Sequence, residues 1–189
     1  MKSLKEIEEY AKDNFVPIIR KDNIEYLEKL IKEHRLYNIL ELGSAIGYSS
    51  IRMALVDEDV IVTTIERDEK MYNLAIENIK DMGLDNKINV IYDDIFNVNL
   101  TDKYDLIFID AAKAQYIKFF NKFKDNLSDN GYIVSDNLEL LDLQRLTQSK
   151  RSKRLVKKME EYKEFLDSLN DYKTDYINIG DGFAITRKL

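Results

Sequence analysis

Carboxylates recur in this 189-residue chain at one kind of place, the carboxyl end of an apolar run. Glu41 lies near the end of Asn38–Leu42, and Glu66 closes Val60–Ile65. Asp93-Asp94 follow Ile88–Tyr92, Asp110 follows Asp105–Ile109, and Asp136-Asn137 follow Tyr132–Ser135. If the runs are strands of an open α/β sheet, this is the edge where such sheets bind ligands. Asp110, Asp136 and Asn137 offer oxygen donors, two of them carboxylates, a set that suits Mg²⁺, Mn²⁺ or Ca²⁺ better than zinc. Neighbouring strands stand about 4.8 Å apart, so the ends of two of them can share one ion. Lys113 comes three positions after Asp110. Beside a divalent cation, like-charge repulsion and desolvation push a lysine toward its neutral form, able to take a proton from a hydroxyl. Each group also has a plainer use: the acidic residues can cap turns or helices, and Lys113 can be a surface residue at a helix start.

The glycine turn Glu41-Leu-Gly43-Ser-Ala-Ile-Gly47-Tyr-Ser49 stands where the first run gives way to a helical pattern. Gly43 can take backbone angles closed to other residues and lets a ligand approach the main chain. A structural strand-to-helix corner has the same sequence signature. Glu66, 23 positions after Gly43, is placed to accept hydrogen bonds from ribose hydroxyls. The pair points to a nucleoside-containing cofactor. Ala45 occupies the position where a dinucleotide fingerprint has its second glycine, so an NAD-dependent dehydrogenase is disfavoured.

The elements that must position these groups alternate. Leu4–Asn14 and Asn23–His34 read as amphipathic helices joined through Pro17. Strands at Asn38–Leu42, Val60–Ile65, Ile88–Tyr92, Asp105–Ile109 and Tyr132–Ser135 are separated by helices at Tyr48–Val56, Asp68–Met82 and Ala114–Leu127. A turn is expected at Asp129-Asn-Gly131. A long helix, Ser149–Leu169, precedes a closing hairpin, Tyr172–Ile179 and Phe183–Arg187, around Gly180-Asp-Gly182. The pattern predicts one α/β domain over 1–189: N-terminal helices in 1–36, then a Rossmann-like core in 37–189. Its sheet is seven-stranded and mostly parallel, with one antiparallel strand and helices on both faces.

Composition narrows the chemistry. There is no cysteine, which excludes disulfides, thiolate metal sites and cysteine nucleophiles. The single histidine, His34, leaves no histidine triad. No apolar run approaches membrane-spanning length and no signal-peptide pattern opens the chain, so no membrane association and a cytoplasmic location are expected. The net charge is −6, yet Leu143–Met159 holds seven basic residues and no acidic one. Such a block is either a solvated helix face or a surface aimed at phosphates. A non-catalytic RNA-binding module would use that block but would not need Asp110, Asp136 and Asn137 together.

Glu41-Leu-Gly-Ser-Ala-Ile-Gly-Tyr-Ser, Thr64-Ile-Glu66, Phe108-Ile-Asp-Ala-Ala-Lys113 and Val134-Ser-Asp-Asn137 together resemble the class I S-adenosylmethionine (SAM) dependent O-methyltransferases of the catechol/caffeoyl-CoA type. The likeness covers nearly the whole chain. Within that family the Tyr10-Ala to Pro17-Ile opening, the basic helix and the Ile179-Gly-Asp-Gly182 ending look most like the bacterial tRNA 5-hydroxyuridine methyltransferases. The resemblance implies a SAM site of Glu41, Gly43, Ser49, Glu66, Asp94, Ile95 and Asp110. It implies Mg²⁺ (or Mn²⁺ or Ca²⁺) on Asp110, Asp136 and Asn137, and Lys113 with Asp110 as the catalytic pair. Ile18 and Ile19 would lie near the methyl donor. Asp93 departs from the family, which usually has glycine there. The implied acceptor is a tRNA anticodon loop, docked through Lys150, Arg151, Lys153, Arg154 and Lys157. A small catechol-like or phenolic acceptor is the alternative. The chain has no tryptophan, whereas the catechol enzymes use one in their aromatic walls, and Asn178 aligns where the vertebrate catechol enzyme has a carboxylate. A homodimer is expected from the family.

Overall fold

The computed structural model describes residues 2–136, 138 and 150–189. Seven strands form one sheet in the order β3-β2-β1-β4-β5-β7-β6. They are β1 (Asn38–Leu42), β2 (Ile61–Glu66), β3 (Ile88–Tyr92), β4 (Tyr104–Ile109), β5 (Leu127–Ser135), β6 (Tyr172–Ile177) and β7 (Phe183–Lys188). Strand β7 alone runs against the others, pairing antiparallel with both β5 and β6. Strand β1 leads by one connection to β2 on one side and lies beside β4 on the other. The chain therefore reverses its winding between β1 and β4, and a crevice opens at their carboxyl ends.

Alternation of side chains across the pleat divides the core in two. On one face Ile39, Val62, Leu106, Phe108 and Val134 meet helices α1 (Leu4–Asp13), α2 (Lys21–His34), α3 (Tyr48–Ala54) and α4 (Glu69–Asp81). On the other, Leu40, Leu42, Ile107, Ile109 and Ile133 meet α5 (Tyr116–Phe123) and α6 (Lys150–Asp167). Helix α1 starts at a reciprocal capping box: Ser3 Oγ accepts from the Glu6 amide, and the Glu6 carboxylate accepts from the Ser3 amide at 2.7 Å. It buries Ile7 and Ala11, while α2 buries Ile24, Leu27, Leu30 and Ile31. The N-terminal extension is thus a layer of the core.

Two expectations change. The helix expected at Ala114–Leu127 is the short α5, flanked by 3₁₀ turns at Lys113–Gln115 and Lys124–Asn126, and Leu127 belongs to β5. The turn expected at Asp129-Asn-Gly131 lies inside β5, where Tyr104 pairs with Leu127 but Leu106 pairs with Tyr132. The extra residues bulge out of the ladder, so the polar Asp-Asn-Gly signal marks a bulge. A Cβ on Gly131 would come 2.8 Å from Leu127 Cδ1 and 3.0 Å from the Asp105 carbonyl, which is why glycine stands there.

Candidate active site

At the carboxyl edge lies a cavity of about 580 Å³ lined by residues from both ends of the chain. Its lining includes Gly43, Ser49, Glu66, Asp94, Ile95, Asp110, Lys113 and Asp136, the residues that sequence marked for cofactor, metal and proton transfer. The strap Pro17–Arg20, between α1 and α2, covers part of it. Glu41 stands behind the glycine turn, fully buried.

The glycine turn is held by its neighbours. Gly43 has φ +99°, and a Cβ there would lie 2.6 Å from the Asp110 carbonyl oxygen. Glycine lets β1 pass close against the end of β4, bringing the turn and Asp110 together. Ala45 is also left-handed, φ 44°, and its amide donates to Glu66 Oε2 at 2.9 Å. Glu66 Oε1 accepts from the amides of Arg67 and Asp68 at 2.9 and 2.8 Å. Glu66 thus clamps the turn, and a carboxylate with about four acceptor positions retains capacity for a ribose hydroxyl. Asn78 on α4 donates to the Ile46 carbonyl at 2.9 Å, securing the turn from the other side.

Glu41 accepts from the Ser49 and Ser50 hydroxyls at the start of α3. Burial pushes its carboxyl up to about 7, against the opposing pull of those two donors. Tyr48, which lines the cavity, donates to Glu8 on α1 at 2.6 Å and accepts from Arg52 at 2.8 Å. Arg52 in turn pairs with Glu28 on α2. This network fixes both N-terminal helices to the helix that follows the glycine turn.

Asp93 and Asp94 cap the following turn. Asp93 accepts from the Asp94 amide and from Asn97 Nδ2, and Asp94 accepts from the Phe96 amide and pairs with Arg67 at 3.0 Å. Asp94 and Ile95 nevertheless face the cavity. One role does not displace the other.

Burial raises the Asp110 carboxyl to about 6, with Lys113 pulling the other way. Lys113 is itself pushed down by burial, while Asp110, Asp136 and Asp181 pull it up and Arg20 pushes it down. Asp136 is buried at the end of β5, its amide bonded to the Ile109 carbonyl, so β4 and β5 present these two carboxylates side by side. A buried carboxylate, Asp136, and a half-buried one, Asp110, beside a lysine disposed to lose its proton suit a hard, oxygen-preferring cation. Among the described residues there is no cluster of three or more histidine, cysteine or acidic ligands. Asn137, the third expected ligand, lies outside the described residues.

Three site residues escaped sequence reasoning. Asp181, in the β6–β7 hairpin, lines the cavity and pairs with Arg20 of the strap at 2.7 Å. Asn23 of α2 donates to Asp136 at 2.6 Å. The Gly180-Asp-Gly182 motif was visible, but as a turn signal only, and nothing local links positions 20 or 23 to the hairpin. Asn178 is exposed and does not line the cavity.

Helix α6 packs against the Lys113–Gln115 turn. It buries Met159, Tyr162 and Leu166, and Tyr162 Oη lies 2.7 Å from Ser135 Oγ near the end of β5. Lys150, Lys153, Arg154 and Lys157 are exposed on it, whereas Lys158 pairs with Glu161. The Arg151 side chain lies outside what is described. No helix among the described residues is long and apolar enough to cross a membrane.

A crystal structure from Staphylococcus aureus, provisionally described as a caffeoyl-CoA O-methyltransferase, is 36% identical with a TM-score of 0.90, covering 100% of this chain and 93% of that one. Tapetum-specific methyltransferase 1 of Arabidopsis thaliana is 31% identical over 179 residues, covering 87% of this chain and 75% of its own length. An SAH-bound methyltransferase from Podospora anserina, 21% identical with a TM-score of 0.89 over 98% of this chain and 87% of that one, shares the fold. The profile of the O-methyltransferase family matches residues 1–189, and the chain belongs to that family.

Proposed function

We propose that the enzyme transfers a methyl group from SAM to one of two adjacent oxygens on its acceptor with a divalent cation, and that the acceptor is 5-hydroxyuridine at the wobble position of tRNA. Glu66 and Asp94 would take the nucleoside of SAM, with the glycine turn and Ser49 around its methionine part. Asp110, Asp136 and Asn137 would hold the cation, whose positive charge would lower the pKa of the acceptor hydroxyl to be methylated. Lys113, driven toward its neutral form by burial, accepts the acceptor proton. The acceptor oxygen then attacks the methyl carbon: a C–O bond forms, the C–S bond breaks with its electrons leaving on sulfur, and Lys113 passes the proton to solvent. Ile18 and Ile19 of the strap, which line the cavity, would keep water from the reacting atoms.

The observation that carries the RNA acceptor is the exposed cationic face of α6, in an acidic chain, on the helix packed against the turn bearing Lys113. Charges so placed would hold phosphates and set the register of a strand without reading its bases. A wobble base already lies in a loop and can be splayed into a pocket. A second reading, a small phenolic acceptor, is favoured by the caffeoyl-CoA enzymes among the similar proteins and by Asp181, a carboxylate that can receive a phenol hydroxyl.

Methyl transfer from labelled SAM, with and without Mg²⁺, to tRNA carrying 5-hydroxyuridine and to a panel of catechols separates the two. Metal-dependent 5-methoxyuridine is the expected product. Methylated catechol beside inert tRNA would overturn the RNA acceptor and leave the active site as described.

A further inference from the structure

Asn23 sits in the first turn of α2, completely buried, and its Nδ2 donates to Asp136 Oδ1 at 2.6 Å across 113 positions of sequence. Its Oδ1 is buried without a hydrogen-bond partner. The amide is wedged against the β6–β7 hairpin, where a Cβ at Gly180 would come within 1.7 Å of Asn23 Oδ1. Leu27, one turn further along the same face, and the adjacent Ile24 are both fully buried. An apolar side chain would serve packing better here, because an amide with an orphaned oxygen loses solvation that nothing returns. What the amide does supply is a neutral donor to Asp136. A lysine or arginine would neutralise that carboxylate; an aspartate would repel it. Asparagine orients it and leaves its charge in place.

We propose that Asn23 is a positioning residue of the divalent-cation site, fixing the orientation of the Asp136 carboxylate from the N-terminal helical layer. This rests on the metal-dependent reading above. Outer hydrogen-bond partners of metal ligands act in this way, and their loss typically weakens the metal about 10- to 100-fold. Gly180, already favoured as glycine by its φ of +56°, leaves room for the Asn23 amide, which joins hairpin, α2 and β5 at one point.

The test uses the full chain without added metal. Mg²⁺ and Mn²⁺ affinities are measured by calorimetry and by Mn²⁺ electron paramagnetic resonance for the wild type, Asn23→Ala and Asn23→Ser, alongside SAM affinity and the unfolding midpoint. The expected result is a divalent-cation Kd raised about 10-fold or more in Asn23→Ala, less in Asn23→Ser, with the SAM Kd within about twofold. Cation binding unchanged in folded variants overturns the assignment. Equal weakening of SAM and cation shows a general structural role and overturns it too. A wild type that binds neither cation removes the metal-dependent reading itself. If neither variant folds, the side-chain amide resonance of Asn23 in the wild type decides: it shifts as Mg²⁺ is added, or the proposal fails.

Discussion

Glu41 shows how one residue can link stability to pH. Its carboxyl, fully buried behind the glycine turn, is raised from 4.5 to about 7, chiefly by burial. A raised carboxylate keeps its proton in the folded chain after the unfolded chain has lost it. Its stabilising effect is therefore complete below pH 4.5 and is lost as pH rises through about 7. The loss is on the order of 3 kcal/mol. Urea unfolding across that window should show wild-type stability falling with pH, and Glu41→Gln should flatten the fall; an unchanged slope in the variant would refute the account. Lys113, the base of the proposed reaction, bears on the rate instead. Lys113→Met should lower kcat about 10²- to 10⁴-fold while leaving the SAM Kd near its wild-type value. The rising alkaline limb of the rate, set by a lysine below its ordinary 10.5, should vanish with it. Both residues were legible because each sits inside a local pattern: an apolar run closed by an acid, or Asp-x-x-Lys. Asp181, Arg20 and Asn23 were not, since their meaning lies in contacts between segments more than 100 positions apart.

Strands were the most legible elements. Buried strands read as apolar runs of about five residues, and β1, β3 and the end of β5 stand where those runs predict. The polar bulge in β5 and the 3₁₀ turns around α5 were misjudged because bulge and turn share the same residues, and the ladder that separates them is set by β4. On α6 the sequence left two meanings for the basic block. The structure fixes its orientation, with Met159, Tyr162 and Leu166 inward and Lys153, Arg154 and Lys157 outward. The charge reversals Arg154→Glu and Lys157→Glu together should raise the KM for tRNA at least about 10-fold. They should also reduce the slope of log affinity against log salt by about 1.5 to 2, as expected for two lost phosphate contacts. Methylation of a small phenol should be untouched, because neither side chain lines the cavity. Equal loss on both acceptors would mean that the substitutions disturb α6 and the Lys113 turn beneath it.

At the scale of the whole molecule, the site is closed by the two ends of the chain. The sheet brings Asp110 and Asp136 together, but the roof is the strap Pro17–Arg20 on one side and the β6–β7 hairpin on the other. The pair Arg20–Asp181, 2.7 Å apart, joins them at the mouth. Arg20 is 47% exposed and Asp181 14%, so solvent screens the pair and its contribution to global stability is at most about 1 kcal/mol. The buried contacts of α1 and α2 hold the N-terminal layer whether or not this pair forms. Its effect should therefore fall on closure. In Arg20→Met, whose aliphatic stem still covers the strap, the unfolding midpoint should stay close to the wild type, while the acceptor KM rises several-fold and SAM dissociates faster. Asp181→Asn should repeat the faster SAM release if the ion pair is the closing element. If Asp181→Asn raises the acceptor KM but leaves SAM release unchanged, the carboxylate is meeting the acceptor directly, and the mouth is held by the strap's own packing.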